Sequence, residues 1–346
     1  MPDILKLISD ADRLDFSSNF SVTRPNYLGD RIFPDQKTDA LIAEDLRIAN
    51  GATLPVMATV HAFDTEAEIA SRPALDKVTV EKLLIKRKIN QSERLRQLLD
   101  TGVYADDAIV KYIFDDMGRL ADSVKVRTEV AKMEVLATGG MTINENNLKL
   151  NVDYGVPSEN TAFQIDLSAD ADIIGQIQTI VDYATEQGYT ITEAITSNKV
   201  VRKLAANTGI QTLIFGSVGQ GTYVPTDRMQ SLFSQLFGFS TITTYDLRYK
   251  YQTADGSETT ARFYPEDKIT FVASGYAPNF GVGLWGPTPE EAEYAQYFNK
   301  ETSSPFITLT QWATPDPVAV WTKASGVFIP VLPDPGALLI ATEQSA

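Results

Sequence analysis

Between about Ala105 and Thr138 the apolar positions recur at spacings of three and four, at Ile109, Ile113, Met117, Leu120, Val124, Ala131 and Met133 through Leu136. That spacing predicts one long amphipathic helix. Asp115 with Arg119, and Asp122 with Lys125, lie at helical pair spacing and support an exposed face. Gly139-Gly140 stops the run. The heptad is irregular, so a spine packed against a sheet is expected rather than a coiled coil.

Upstream, the chain from roughly Asn50 to Asn90 reads as an extended ribbon. Its halves are Val56 to Phe63 and Asp76 to Lys86, and alternation is clearest at Val78, Val80 and Lys82 against Thr79 and Glu81. The stretch between, Asp64 to Arg72, is acidic and rich in small residues, and Arg72-Pro73 marks a bend. Before the ribbon come short elements parted by breakers. Asp12 to Phe20 is polar and aromatic, Tyr27 to Asp30 reads as a turn, and Arg31 to Pro34 as extended chain ahead of a proline. This first part resembles an arm more than a domain.

After the spine a strand pair is expected over Met141 to Val156. A helix then follows over Ala169 to Gln187, with Ser168 as N-cap and Ile173, Ile174, Ile177, Ile180, Val181 and Ala184 on one side. Residues 193 to 300 alternate short helices and strands, an α+β pattern. Helices are expected over Ser197 to Asn207 and Asp227 to Phe237. Phe239 to Tyr251 and Glu258 to Phe263 suggest a hairpin around Asp255-Gly256, and Lys268 to Ala273 a buried strand. Strands return at Phe306 to Thr310 and Val318 to Trp321. Gly326 to Thr342 is apolar but broken by Pro330, Pro333, Asp334 and Pro335, which makes it a strand, a turn and a strand rather than a membrane span.

Composition narrows the chemistry. At 346 residues with 43% hydrophobic content, the chain can bury real cores, and its length suggests two to three domains. A formal net charge of −15 argues against affinity for nucleic acid, which needs clustered Lys and Arg. The basic cluster of Lys82, Lys86, Arg87, Lys88, Arg94 and Arg96 lacks interleaved aromatics for base stacking. A solvated strand face, or a salt-bridge partner for an acidic neighbour, explains it better. The start of the chain has no basic stretch and no uninterrupted apolar run of a secretory signal.

The absence of cysteine removes thiolate nucleophiles, disulfides and thiolate metal sites, and fits a cytosolic product. His61 is the only histidine, so triads and multi-histidine metal sites rest on one imidazole or on none. Asp166, Asp170 and Asp172 could be argued as a cation site, but capping of a helix N-terminus accounts for them without a metal. Gly216 to Gly221 lacks the Lys-Ser/Thr of a phosphate loop and reads as a plain loop. Paired carboxylates such as Asp115 with Asp116, or Asp166 with Asp170, are the material for a carboxylate-dependent hydrolase, yet consecutive carboxylates on a helix do not face one another.

Three stretches resemble the major capsid proteins of tailed bacteriophages, specifically the lambda-like major capsid protein E family. They are Ser71-Arg72-Pro73-Ala74 with Val78 to Arg87, the spine helix ending in Ala137-Thr138-Gly139-Gly140-Met141, and the close from Gly326 to Pro335 with its Pro-Asp-Pro. The order of elements fits along nearly the whole chain.

The resemblance implies an α+β chain of the HK97-like capsid fold. Met1 to Asp45 would be the N-arm and Leu46 to Ile89 the extended β loop. Asn90 to Gly188 with Pro305 to Ala346 would form the peripheral domain with the long spine helix, and Tyr189 to Ser304 the axial domain. It implies a structural protein with no cofactor and no catalytic or metal residue. The chain would self-assemble as hexamers and pentamers into an icosahedral shell, a procapsid that later expands, around packaged double-stranded DNA that it does not bind specifically.

Implied partners are a separate scaffolding protein, a portal and, in some shells, a decoration protein, with no membrane. The expected location is the virion, after assembly in the host bacterial cytoplasm. An encapsulin-type shell, another virion component and the hydrolase stand as alternatives. The exposed basic face at Lys82, Lys86 and Lys88 is expected to meet acidic surface on a neighbouring subunit, with Glu290, Glu291 and Glu293 as the candidate acidic segment. His61 is then a loop residue at a subunit contact.

Overall fold

The structure, a computed structural model, describes residues 27–40, 42–48, 75–91, 106–145, 148–216, 221–239, 241–253, 256–275, 277–292, 299–303, 306–315 and 318–344. Among the expected features, His61, Glu293, Arg94, Arg96, the first half of the ribbon, the bend at Arg72-Pro73 and the polar-aromatic stretch 12–20 lie outside these residues. The chain divides into two compact units. One comprises Met1–Ala43, Val80–Ala131 and Val282–Val331, the other Glu44–Thr79, Lys132–Gly281 and Leu332–Ala346. The long helix contributes residues to both. Leu332–Ala346 therefore groups with the α/β segment 189–281, where the resemblance suggests a peripheral placement.

The first described element is a one-turn helix, α1 (Leu28–Ile32), which covers most of the turn expected at Tyr27 to Asp30 and the first two residues of the stretch expected to be extended. Pro34 restricts only the residue before it, Phe33, whose φ is −122°. The Phe33 amide donates to the Gly29 carbonyl at 2.8 Å, and the Gly29 amide to Glu129 Oε1 at 3.1 Å, so the turn is anchored at both ends. Strand β1 (Asp35–Lys37) follows. Then β2 (Ile42–Ile48) pairs with β3 (Leu75–Glu81), closing a two-stranded ribbon around residues 49–74. The returning chain continues as β4 (Leu83–Gln91), which joins a larger sheet instead of ending the ribbon.

The predicted spine is α2 (Asp106–Thr138), 33 residues long. Met117, Leu120, Ala121 and Val124 form its buried stripe in the first unit. From Ala131 to Ala137 the helix is buried nearly all round. Thr138 Oγ1 accepts from the Gly140 amide and donates back to the Glu134 carbonyl, and Gly139 takes φ +74°, so this glycine closes the helix in a backbone region other residues avoid.

The second unit opens with the hairpin β5 (Gly140–Glu145) and β6 (Leu148–Asp153), then α3 (Ser158–Thr161) and β7 (Phe163–Ile165). Helix α4 spans Ile173–Glu186. Its N-cap is Asp172, whose carboxylate accepts from the Gly175 amide at 2.9 Å, four residues after the expected Ser168 cap. Next come β8 (Thr190–Thr196), α5 (Asn198–Ala206) capped by Ser197, α6 (Thr208–Phe215) capped by Asn207, and α7 (Thr226–Phe237). Strand β9 (Thr241–Thr244) pairs parallel with β8, so only β10 (Arg248–Gln252) and β11 (Glu258–Arg262) form the expected hairpin. The buried strand β12 (Lys268–Ser274) is as predicted.

The first unit resumes with β13 (Val282–Gly286), α8 (Pro289–Ala292), β14 (Asn299–Ser303), β15 (Ile307–Pro315) and the 14-residue β16 (Val318–Val331). These pair in the order β1-β13-β16-β15-β14, with β4 on the other edge of β16. The close reads as expected: strand, a 3₁₀ turn at Pro335–Ala337, and β17 (Leu338–Glu343).

β17 returns to the second unit, whose sheet runs β7-β17-β12-β8-β9. Ile177, Leu204, Phe233, Phe271 and Leu339 share its core. On the other side of β12, Thr270 Oγ1 and Lys268 Nζ donate to the carbonyls of Leu136 and Ala137 at 2.9 and 2.7 Å. The helix has no basic residue in its own last turn, so Lys268 supplies the cation that a helix C-terminus favours. The Pro-Asp of the tail is also structural. Buried Asp334 accepts from Tyr189 Oη at 2.9 Å, and Gly275 and Gly336 leave room for that contact, since a Cβ at either would fall within 2.3 Å of Asp334 or Tyr189.

Candidate functional site

Period two along β4 and β16 sorts this part of the first unit's sheet into two faces. One carries Phe328, Gly326 and Ala324 beside Leu83, Ile85 and Arg87. Gly326 is where this face meets the spine, since a Cβ there would sit 2.9 Å from Trp285 and 3.1 Å from Val124. The other face is polar and aromatic. Across it, Lys86 stands opposite Ser325 and then Thr308, Lys88 opposite Lys323 and then Thr310, and Asn90 opposite Trp321 and then Trp312.

Two lysines directly opposed on a sheet repel each other unless each finds a partner. Lys323 turns to Glu290 at 2.5 Å, while the Lys88 ammonium lies over the Trp321 ring, 4.5 Å from its centroid. Trp321 stacks on Trp312 at 6.3 Å and 14°. Glu290, in α8, is 5% exposed. It also accepts from Ser325 Oγ at 3.0 Å and has Lys86 Nζ at 3.8 Å. Burial works against the Glu290 anion, but hydrogen bonds from Lys323, its own backbone and Ser325, with the Lys323 charge, outweigh it and hold the carboxyl below its ordinary range. Glu291 accepts from Thr308 Oγ1 at 3.0 Å and from Lys37 Nζ at 3.4 Å.

The structure thus brings Lys86 and Glu290 together within one chain, although the sequence reading set them on different subunits. Lys88 is exposed along β4, for which no second strand partner is found among the described residues. Lys82 is not on this exposed face. It lies between β3 and β4, 5% exposed, and its ammonium donates to Thr38 Oγ1, the Ala40 carbonyl and the Trp285 carbonyl. A buried ammonium persists only with its donors satisfied, and here three oxygens surround it. Lys323, Ser325, Trp312 and Trp321 were missed. Their signal was the alternation Trp321, Lys323, Ser325, which continues the strand beyond Trp321.

The aspartate triplet is absorbed by local structure. Asp166 accepts from the Ser168 amide at 2.8 Å, Asp170 from Thr208 Oγ1 at 3.3 Å, and Asp172 caps α4. Among the described residues no group of three or more acidic side chains converges to hold a metal ion. No described helix is long and apolar enough to cross a membrane.

The sequence profile of a family described as Phage major capsid protein E matches residues 13–343. The chain belongs to this family. It is therefore a structural shell protein of the phage capsid rather than an enzyme, self-assembling and located in the virion. No curated protein matches the sequence.

Among solved structures, a phage-related protein from Bordetella bronchiseptica RB50 is similar over 97% of both chains, with a TM-score of 0.56 at 10% identity. A protein assigned as a prophage capsid protein of Escherichia coli CFT073 is similar over 78% of this chain and 80% of its own, with a TM-score of 0.51 at 15% identity. At such identities the likeness speaks for the fold, which is HK97-like with mixed helix and sheet.

Proposed function

We propose that this capsid protein assembles as hexamers and pentamers into an icosahedral shell, first a procapsid and then an expanded head, around packaged double-stranded DNA. The family match along residues 13–343 carries the reading. The net charge of −15 supports it, because an acidic wall repels DNA instead of gluing it in place. A separate scaffolding protein, a portal and an optional decoration protein are the partners this life cycle requires, with assembly in the host bacterial cytoplasm. In this reading residues 1–45 serve as the arm and 46–89 as the loop that lap neighbours, with His61 at a subunit contact. Residues 90–188 with 305–346 serve as the peripheral domain and residues 189–304 as the axial domain.

Lys88, exposed on the outer strand, is the residue proposed to meet acidic surface of a neighbour, with Lys86 beside it and Glu291 and Glu293 of that neighbour as the candidate acidic residues, Glu290 being committed to Lys323 within its own chain. Lys88→Glu is the discriminating change. Inside the chain it gives up the contact with the Trp321 ring but places a carboxylate opposite Lys323, an opposite-charge cross-strand pair that should keep the monomer folded. Lys86→Glu, by contrast, would set a second carboxylate beside Glu290. Sizing chromatography and negative-stain imaging of the expressed protein test the function. Shells or capsomer rings are expected, and a compact monomer under all assembly conditions would overturn it. Unimpaired assembly of Lys88→Glu would remove Lys88 from the contact.

A further inference from the structure

The ribbon formed by β2 and β3 leaves the chain after Ala40 and re-enters it at Lys82. Two of the three acceptors on the Lys82 ammonium, Thr38 Oγ1 and the Ala40 carbonyl, belong to the outgoing root. The third is the Trp285 carbonyl of β13, 3.3 Å away. That same carbonyl accepts the Thr38 amide at 2.8 Å, so one backbone oxygen binds the outgoing root and the returning lysine together. The pocket is shaped for this side chain. A Cβ on Gly286 would lie 3.0 Å from Lys82 Cδ and 3.3 Å from its Nζ. Asp39, on the outgoing root, adds a favourable charge.

We infer that Lys82 is a clamp at the base of the ribbon, a positioning residue that holds residues 38–40 and 82 side by side on the edge of β13 and so fixes the conformation from which the extended loop starts. The three donors of an ammonium match the three acceptors, and no neutral side chain of this length supplies as many. Burial lowers the Lys82 pKa, with Asp39 opposing, so placing the charge here costs free energy that the hydrogen bonds offset. The result is a definite geometry at the root of the ribbon. The clamp itself is local. Its consequence, that assembly depends on a preset loop, rests on the shell reading above.

Amide hydrogen exchange on the full-length, unassembled protein tests the clamp in Lys82→Met, in Thr38→Val, which removes one acceptor at the surface end, and in Lys82→Arg. In Lys82→Met, peptides covering residues 35–48 and 75–82 should exchange about tenfold faster, while those of β12 and β17 change less than about twofold. Thr38→Val should give a smaller change in the same peptides, and Lys82→Arg, which keeps the charge and donors, should restore part of the protection. Exchange at 35–48 that is unchanged in both Lys82→Met and Thr38→Val overturns the clamp. So does acceleration spread evenly over the protein, because that marks a merely structural role. Wild-type protein that never forms shells would sink the shell reading and leave the exchange result standing.

Discussion

Glu290→Gln should weaken the first unit selectively, because it removes the anion on which the polar face converges. In the native chain this carboxylate is 5% exposed and holds Lys323, itself only 16% exposed at its side chain, at 2.5 Å. Removing one partner of a fully buried ion pair costs about 3–5 kcal/mol. Lys323 retains some access to water and lies 5.6 Å from the Trp312 ring centroid, so the lower value of about 2–3 kcal/mol applies. All three tryptophans, Trp285, Trp312 and Trp321, belong to this unit, which makes tryptophan fluorescence its own unfolding probe.

With a urea m-value of about 2 kcal/mol/M for a unit of this size, the midpoint should fall by about 1–1.5 M. Glu290→Gln with Lys323→Met should recover part of the loss, since the stranded ammonium goes with its partner. The pH dependence follows from the lowered Glu290 pKa. Its contribution is complete above the ordinary value of 4.5 and fades as the pH falls through the lower folded value, so the gap between wild type and Glu290→Gln should close on acidification. A midpoint shift below about 0.3 M, or a double variant no more stable than the single one, would refute the reasoning.

Asp172→Ala should cost about 1 kcal/mol and accelerate exchange in the first turn of α4, whereas Ser168→Ala should leave those amides unchanged. Gly326→Ala should lower stability by about 1–3 kcal/mol and shift the emission of Trp285, whose ring the new methyl would press. Asn160→Ala should destabilise the second unit by about 2 kcal/mol, read by near-ultraviolet circular dichroism of its tyrosines. Asn160, 3% exposed, donates to the Gly336 and Leu338 carbonyls at 3.0 Å each and accepts from Tyr183, and an alanine leaves those groups without it.

Local periodicity was enough for the elements. The apolar spacing of α2, the Gly139 stop, the Ser197 cap, the Asp255-Gly256 hairpin signal and the proline-broken close are each short-range effects, and each was legible. Errors arose where a local signal had two readings. Ser168 and Asp172 are both good caps, and the start of α4 follows Asp172 because the Asn207 amide group takes the carbonyls of Ser168, Ala169 and Ala171. Lys82 fell in phase with Val78 and Val80 in the strand pattern. That phase was a sign of burial, yet its charge made it read as surface.

The sequence by itself determined the α+β class, the long spine, the acidic surface without thiols and with one imidazole, and the likeness to a shell protein. These follow from composition and from interactions within a few residues along the chain. Which charges meet was decided only by tertiary structure. Glu290 reaches Lys86 and Lys323, and Lys82 reaches Thr38 and Trp285, through strand register between segments 33 to 204 positions apart. Register is set by which face of each strand must be buried, a property of the whole sheet that no window of one strand contains.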